Sequence, residues 1–173
     1  MYASVGRKPA LVLAVIDMVL GDADQPSPAV DRGYVREIRE AATGAERITT
    51  YARALAGLLP VIAPLQEALR EAGRTDEECA AAWSGLVDRR AANMLLFARG
   101  LRGTGRLRGD LEDREVADLV WATSSAECFL LLARRGWSPD RFGVHLADLW
   151  CRALLDPGDG RPDQPPSAAR PAR

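Results

Sequence analysis

The sequence is poor in the residues that most reactions need. It carries one histidine, His145, three cysteines and an aromatic content of 6%. Cys79, Cys128 and Cys151 lie far apart without a C-x-x-C pair, which argues against a disulfide framework and against a zinc site. No glycine-rich phosphate loop follows a strand, and no strand pattern is convincing at all. Unbroken apolar runs stop far short of the ~20 residues that span a bilayer. Met1 is not followed by the basic region and apolar core of a signal peptide. A dominant charge is missing too. With net charge −1 the chain as a whole has no strong electrostatic pull on nucleic acid. What is present is ordinary for a soluble globular chain: 173 residues, 47% hydrophobic and 27% charged. These features predict an all-α domain with a real core, in the cytosol, with free thiols, no metal, no cofactor and no membrane partner.

Catalysis finds little support. His145 falls on the polar sector of the last helix, and Cys151, six positions later, points to a different face. No paired carboxylates sit at helical spacing on an apolar face. The expectation is that the chain is not an enzyme and holds no catalytic residue.

Helical periodicity accounts for most of the chain. Lys8 to Leu20 reads as a helix with Pro9 in its first turn and apolar positions at Leu11, Val15, Met18 and Val19. Gly21 to Gly33 is a polar loop, followed by a short helix over Tyr34–Ala41. A long pattern from Ala45 to Leu69 is interrupted by Pro60 and Pro64, which predicts a kink or two helices meeting near residues 60–63. Thr75 and Glu78 form a T-x-x-E capping box that opens the longest helix, running to about Gly103. Its core stripe is Cys79, Trp83, Leu86, Met94, Phe97 and Leu101, with Arg90 inside it. A further helix is expected over 112–135. From Asp156 the chain holds five of its eleven prolines and no large apolar residue, the composition of a disordered tail over 156–173.

The stretch Asp118–Leu155 organises this pattern. Two apolar helices meet at a corner where Gly136 can take the left-handed position, Ser138 caps, Pro139 opens the next helix and Asp140 meets its dipole. Laid on a wheel, the helix after the corner gathers Asp148, Arg141, Arg152 and His145 into one sector. Its apolar residues cover about 240°, where a helix packed on one side needs a stripe of about 100°. A second chain is therefore expected against it, with Leu131, Val144, Ala147, Cys151 and Leu154 as the interface residues of a homodimer.

The run ADLVWATSSAECFLLLARRGWSPDRFGVHLADLWCRALL resembles the end of the ligand-binding domain of TetR-type transcriptional regulators. The opening MYASVGRKPALVLAVIDMVL is similar to the place where that family's recognition helix passes into the next helix, a Y-x-x-hydrophobic-x-x-K-x-x-L run matched by Tyr2, Val5, Lys8 and Leu11. The resemblance covers about residues 1–155. It implies a remnant of the DNA-binding domain and linking helix over 1–20, and a ligand-binding and dimerisation domain over 21–155. The last two helices would pair with their copies as a four-helix bundle, and Tyr2 and Lys8 would contact backbone phosphate. The family's first two helices and most of its recognition helix do not occur in the sequence. Two expectations follow. Either the reading frame stays open upstream for about one further helix-turn-helix domain, which operator binding would require, or the chain is an interaction module that heterodimerises with a full-length regulator and titrates it.

One constellation bears on a ligand. Glu127 shares a wheel sector with Val116, Val120 and Leu131, beside Thr123 and Ser124, and Arg90 is similarly placed on the preceding helix. Buried alone, either charge costs several kcal/mol. Two readings stand. They form a structural Arg90–Glu127 pair or snorkel to solvent, or they line a cavity for an unknown small-molecule effector together with Tyr51, Leu55, Trp83, Met94, Trp121 and Ser124.

Overall fold

The computed structural model describes residues 8–21 and 32–157. Tyr2 with its neighbours, nearly all of the Gly21–Gly33 loop and the tail beyond Pro157 lie outside the described residues. Among those described are seven helices: α1 (Lys8–Gly21), α2 (Gly33–Glu40), α3 (Gly44–Ala72), α4 (Glu77–Arg102), α5 (Asp113–Thr123), α6 (Ala126–Arg134) and α7 (Pro139–Leu154). The all-α expectation holds. Extended pairing is confined, in the described residues, to one isolated antiparallel bridge between Leu107 and Leu155. There the Arg108 N–H donates to Leu154 O at 2.9 Å and the Asp156 N–H to Arg106 O at 3.0 Å, fastening the α4–α5 loop to the end of α7.

The longest helix is α3, at 29 residues, and α1, α2, α4, α6 and α7 all pack on it. Its start is a capping box: the Glu46 N–H donates to Thr43 Oγ1 at 3.1 Å and the Thr43 N–H to Glu46 Oε2 at 2.9 Å. Of the kink or two meeting helices expected near residues 60–63, the second does not occur. Helix α3 continues through both prolines, which lie exposed on its outer side, while Leu59, Ile62 and Ala63 on the inner side are buried. Packing of that inner stripe holds the turn against the lost hydrogen bonds. By length and composition α3 and the stretch Asp113–Arg134 could each cross a bilayer. Here α3 is wrapped by five other helices and the second stretch is interrupted.

Two further boundaries and one helix face differ from the sequence expectation. The cap of α4 is Asp76, not Thr75: the Cys79 N–H donates to Asp76 Oδ1 at 2.9 Å, and the Thr75 hydroxyl turns back to Ala72 O. A carboxylate one position later is the better acceptor at the positive end of the helix. The helix expected over 112–135 is two, α5 and α6, broken at Ser124–Ser125. Ser125 caps α6 by accepting from the Cys128 N–H at 3.1 Å, and the Ser124 hydroxyl donates to Val120 O at 2.6 Å. Both side chains offer the backbone an alternative to a continuous helix. In α1 the buried residues are Pro9 and Ile16, and Leu11, expected to face inward, is 65% exposed. The α6–α7 corner is as expected: Gly136 has φ 81°, Ser138 Oγ accepts from the Arg141 N–H at 3.2 Å, and Pro139 opens α7.

The crossing of α3 and α7 is built from small residues. A Cβ added at Gly143 would lie 2.9 Å from Ala56 Cβ and 3.1 Å from Ala52 O. Two turns on, Trp150 is buried against Tyr51 and Phe97, and its Nε1–H donates to Thr123 Oγ1 at 2.8 Å. Gly143→Val should force the two helices apart and cost about 1–3 kcal/mol, a fall in Tm of several degrees. Gly57→Ala on α3, where an added Cβ meets nothing within 4 Å, should be neutral or stabilising. Thermal unfolding of both variants checks this; an equal response at the two sites would mean that the α3–α7 contact is looser than described.

Candidate functional site: a cavity between α1, α2, α3 and α4

The wall supplied by α3 is a single stripe. Tyr51, Leu55, Leu58, Leu59, Ile62 and Gln66 recur at helical spacing and all face one cavity of about 570 Å³. Helix α4 faces them with Leu86, Arg89, Arg90, Asn93, Met94 and Phe97. Asp17 and Leu20 of α1, Arg32 with Tyr34, Val35, Ile38 and Arg39 of α2, Arg47 and Gly100 help to enclose it, and Ser124 reaches in from the α5–α6 break. The volume lies in the range of small-molecule sites, and the lining is apolar with a few polar groups.

Five of the eight expected ligand-site residues line this cavity: Tyr51, Leu55, Arg90, Met94 and Ser124. Trp83 is half-buried on α4 and does not line it. Trp121 does not line it either, but its carbonyl and its ring hold Arg90. Glu127 stands in the first turn of α6, half-buried and outside the lining. Lys8 is exposed at the start of α1, away from the cavity.

The charges are distributed unevenly. Five arginines and one acid, Asp17, lie along the wall. Asp17 pairs with Arg32 at 3.2 Å and Arg89 at 3.4 Å. Arg47 is taken up by backbone, donating to Ala41 O at 3.0 Å, Gly100 O at 2.7 Å and Arg39 O at 3.3 Å. Arg90 has neutral partners only. Its Nη2 donates to Trp121 O at 2.6 Å and Ser124 Oγ at 2.8 Å, and its guanidinium lies 5.5 Å from the centre of the Trp121 ring. The expected Arg90–Glu127 pair is not among the ion pairs of the described residues. Burial pushes the Arg90 pKa down, with Tyr51 and Glu127 acting weakly the other way. Tyr51 sits between Tyr34, Phe97 and Trp150, and its hydroxyl donates to Met94 Sδ at 3.5 Å. Burial, and then the neighbouring Tyr34, raise its pKa well above the ordinary phenol value, against Arg90, Ser124 and Arg32, so it stays neutral and able to donate.

Several lining residues carried a sequence signal that the periodicity already contained. Gln66 follows Ile62 by one turn in an otherwise apolar stripe, and it is 5% exposed. Arg32 gave no signal, standing near the end of a polar loop, yet it too is buried.

The lining offers hydrogen-bond donors and apolar surface. Its one carboxylate is held by two arginines, and no histidine or cysteine reaches it. His145 is exposed on α7 beside the Trp137 ring, 4.9 Å between centroids, and the three cysteines are half-buried. Among the described residues no group of three metal-binding side chains comes together. Such a site is suited to holding a small molecule. No protein-family model, curated protein or solved structure matches the chain.

The partners of Arg90 set its energetics. Replacing it removes a desolvated charge but leaves Trp121 O without its donor, two effects of opposite sign. Arg90→Met and Glu127→Gln should therefore each shift the unfolding free energy of the ligand-free protein by no more than about 1 kcal/mol. A buried ion pair between them would cost about 3–5 kcal/mol on losing either partner. Urea unfolding of the two variants separates these outcomes.

Proposed function

We propose that this chain is the ligand-sensing and dimerising part of a transcriptional regulator of the TetR type. The observation that carries the reading is the cavity and the place of α1 in its wall. Asp17 and Leu20 belong to the helix that, by the resemblance, follows a DNA-binding domain, and Asp17 is joined to α4 through Arg89 and to Arg32. A molecule in the cavity touches the helix whose position would set the separation of two recognition helices in a dimer. Coupling of this kind needs only that the two positions of α1 bind the ligand differently.

The exposed apolar residues of α5–α7 support the dimer. Val144 is 70% exposed and Leu131 61%, large apolar side chains of the kind that a second copy would cover. Beside Val144 on α7, Ala147 and Cys151 are half-buried. Leu154, expected in the same interface, is fully buried in its own chain, as are Trp150, Leu146 and Phe142. The open arc of α7 is therefore narrower than the sequence suggested. An isologous pairing through the Val144–Ala147–Cys151 edge and Leu131 fits the residues that remain.

Light scattering at micromolar concentration should give about twice the chain mass of 18.7 kDa. Val144→Glu and Leu131→Glu, at positions that the isolated chain leaves in water, should yield folded monomers, because a carboxylate tolerated in solvent is costly in an apolar interface. A stable monomer of the unmodified chain would overturn the dimeric reading.

A further inference from the structure

We propose that the cavity selects a carboxylate with an apolar body, and that Arg90 receives the carboxylate. The inference rests on the sensor reading and adds the chemical class of the ligand.

The argument begins with unmet donors. Both hydrogen bonds of Arg90 leave from Nη2; among the described residues its Nε and Nη1 have no partner, and Arg90 lines the cavity. Arg32 repeats the pattern. Its side chain is only 9% exposed, one nitrogen meets Asp17, and its buried Nε has no partner among the described residues. Both arginines line the same cavity as Tyr51. The neutral lining groups Gln66 and Asn93 likewise have no side-chain partner among the described residues. A buried guanidinium without a counter-charge is costly, and its fixed fork matches two carboxylate oxygens. The one acid in the wall, Asp17, is already shared by two arginines and cannot supply that charge to Arg90.

The apolar half of the ligand follows from the remaining wall. Leu55, Leu59, Ile62 and Leu86 line the same cavity as Arg90 and are buried hydrocarbon. A compact polyanion would leave that surface wet, and a neutral hydrocarbon would leave Arg90 unpaired. An amphiphile with one anionic group satisfies both.

The test uses decanoate and decanol, matched in chain length, titrated into the full chain by calorimetry below the concentration at which either aggregates. Decanoate should bind about ten- to a hundredfold more tightly than decanol, the ratio expected for hydrogen bonds to a charged group. Arg90→Met should abolish that preference while leaving decanol binding unchanged, and Arg90→Lys, which keeps the charge and loses the fork, should restore part of it. Arg74→Met, on the exposed α3–α4 turn, should change neither. Equal affinity for the two ligands, or a preference that survives Arg90→Met, overturns the carboxylate assignment and leaves a ligand cavity standing. If neither molecule binds and neither protects the α1 amides from hydrogen exchange, the sensor reading fails and this inference fails with it.

Discussion

The close approach of α3 and α7 at Ala52, Ala56 and Gly143 fixes where everything else can sit. With no side chain between the backbones, Gly143 lies within contact of Ala52 O, and α3 is held at a single depth. That depth decides the environment of Tyr51. Its ring meets Phe97 and Trp150, 5.0 and 5.6 Å between centroids, and the residue also lines the cavity. A wider crossing would loosen the aromatic packing and displace the whole stripe from Tyr51 to Gln66. The geometry of the candidate site is thus inherited from a contact outside it, made by residues that carry no chemistry.

The cavity wall shows the complementary constraint. A domain of this size has few buried positions, and several are given to polar groups: Arg32, Gln66 and Ser124 are buried beside the cavity. Each costs stability unless its hydrogen bonds are met. Ser124 is satisfied by Val120 O and Arg90. Arg47 is satisfied by three carbonyls at the ends of α2 and α4, so it works as a brace and adds little free charge to the wall. Arg90 and Arg32 are satisfied only in part. Natural cores retain incompletely paired charges where something outside the chain completes them, and these two face the same volume.

Much of the architecture was legible because it depends on local chemistry. Gly136, Ser138 and Pro139 are local signals, and the corner they form is as read. The helical stripe through Tyr51, Leu55, Leu58, Leu59 and Ile62 is a property of spacing, although only Tyr51 and Leu55 of it are assigned to the cavity from sequence. Failures arise where tertiary packing or a competing cap decides. Pro60 and Pro64 argue for a break, but burial of Leu59, Ile62 and Ala63 on one side carries α3 through them. Thr75 and Glu78 have the right spacing for a capping box, yet Asp76 caps α4 and the true box, Thr43 with Glu46, went unread. Arg90 and Glu127 were matched by wheel position, which says which face a residue occupies and nothing about the rotation of two helices against each other. The Ser124–Ser125 break re-aims α6, so Ser124, and not Glu127, comes to Arg90. Arg32 was invisible because its place depends on contacts distant in sequence, among them the ion pair with Asp17 of α1.

That same break links the two halves of the proposed function. The end of α5 is held from the cavity side by Arg90, through Trp121 O and Ser124 Oγ, and from the opposite side by Trp150, whose Nε1–H reaches Thr123. Thr123 and Ser124 are adjacent, so the cavity and α7 grip successive residues of one helix end. Ser125 then begins α6, and Leu131 and Val144 follow on α6 and α7. Anything that draws the Arg90 guanidinium toward the cavity loosens its hold on Trp121 and Ser124, at a point where no continuous helix resists a change of angle. Tyr51 reinforces the connection, since its ring touches Trp150, its hydroxyl donates to Met94 Sδ and both Tyr51 and Met94 line the cavity. On the proposed reading, a ligand's choice between two positions of Arg90 would bias both α1, through the Asp17 ion pairs, and the exposed α6–α7 edge, through the serine break. Linkage requires that the bias act in both directions, so whatever covers Leu131 and Val144 must in turn alter the affinity of the cavity for its occupant.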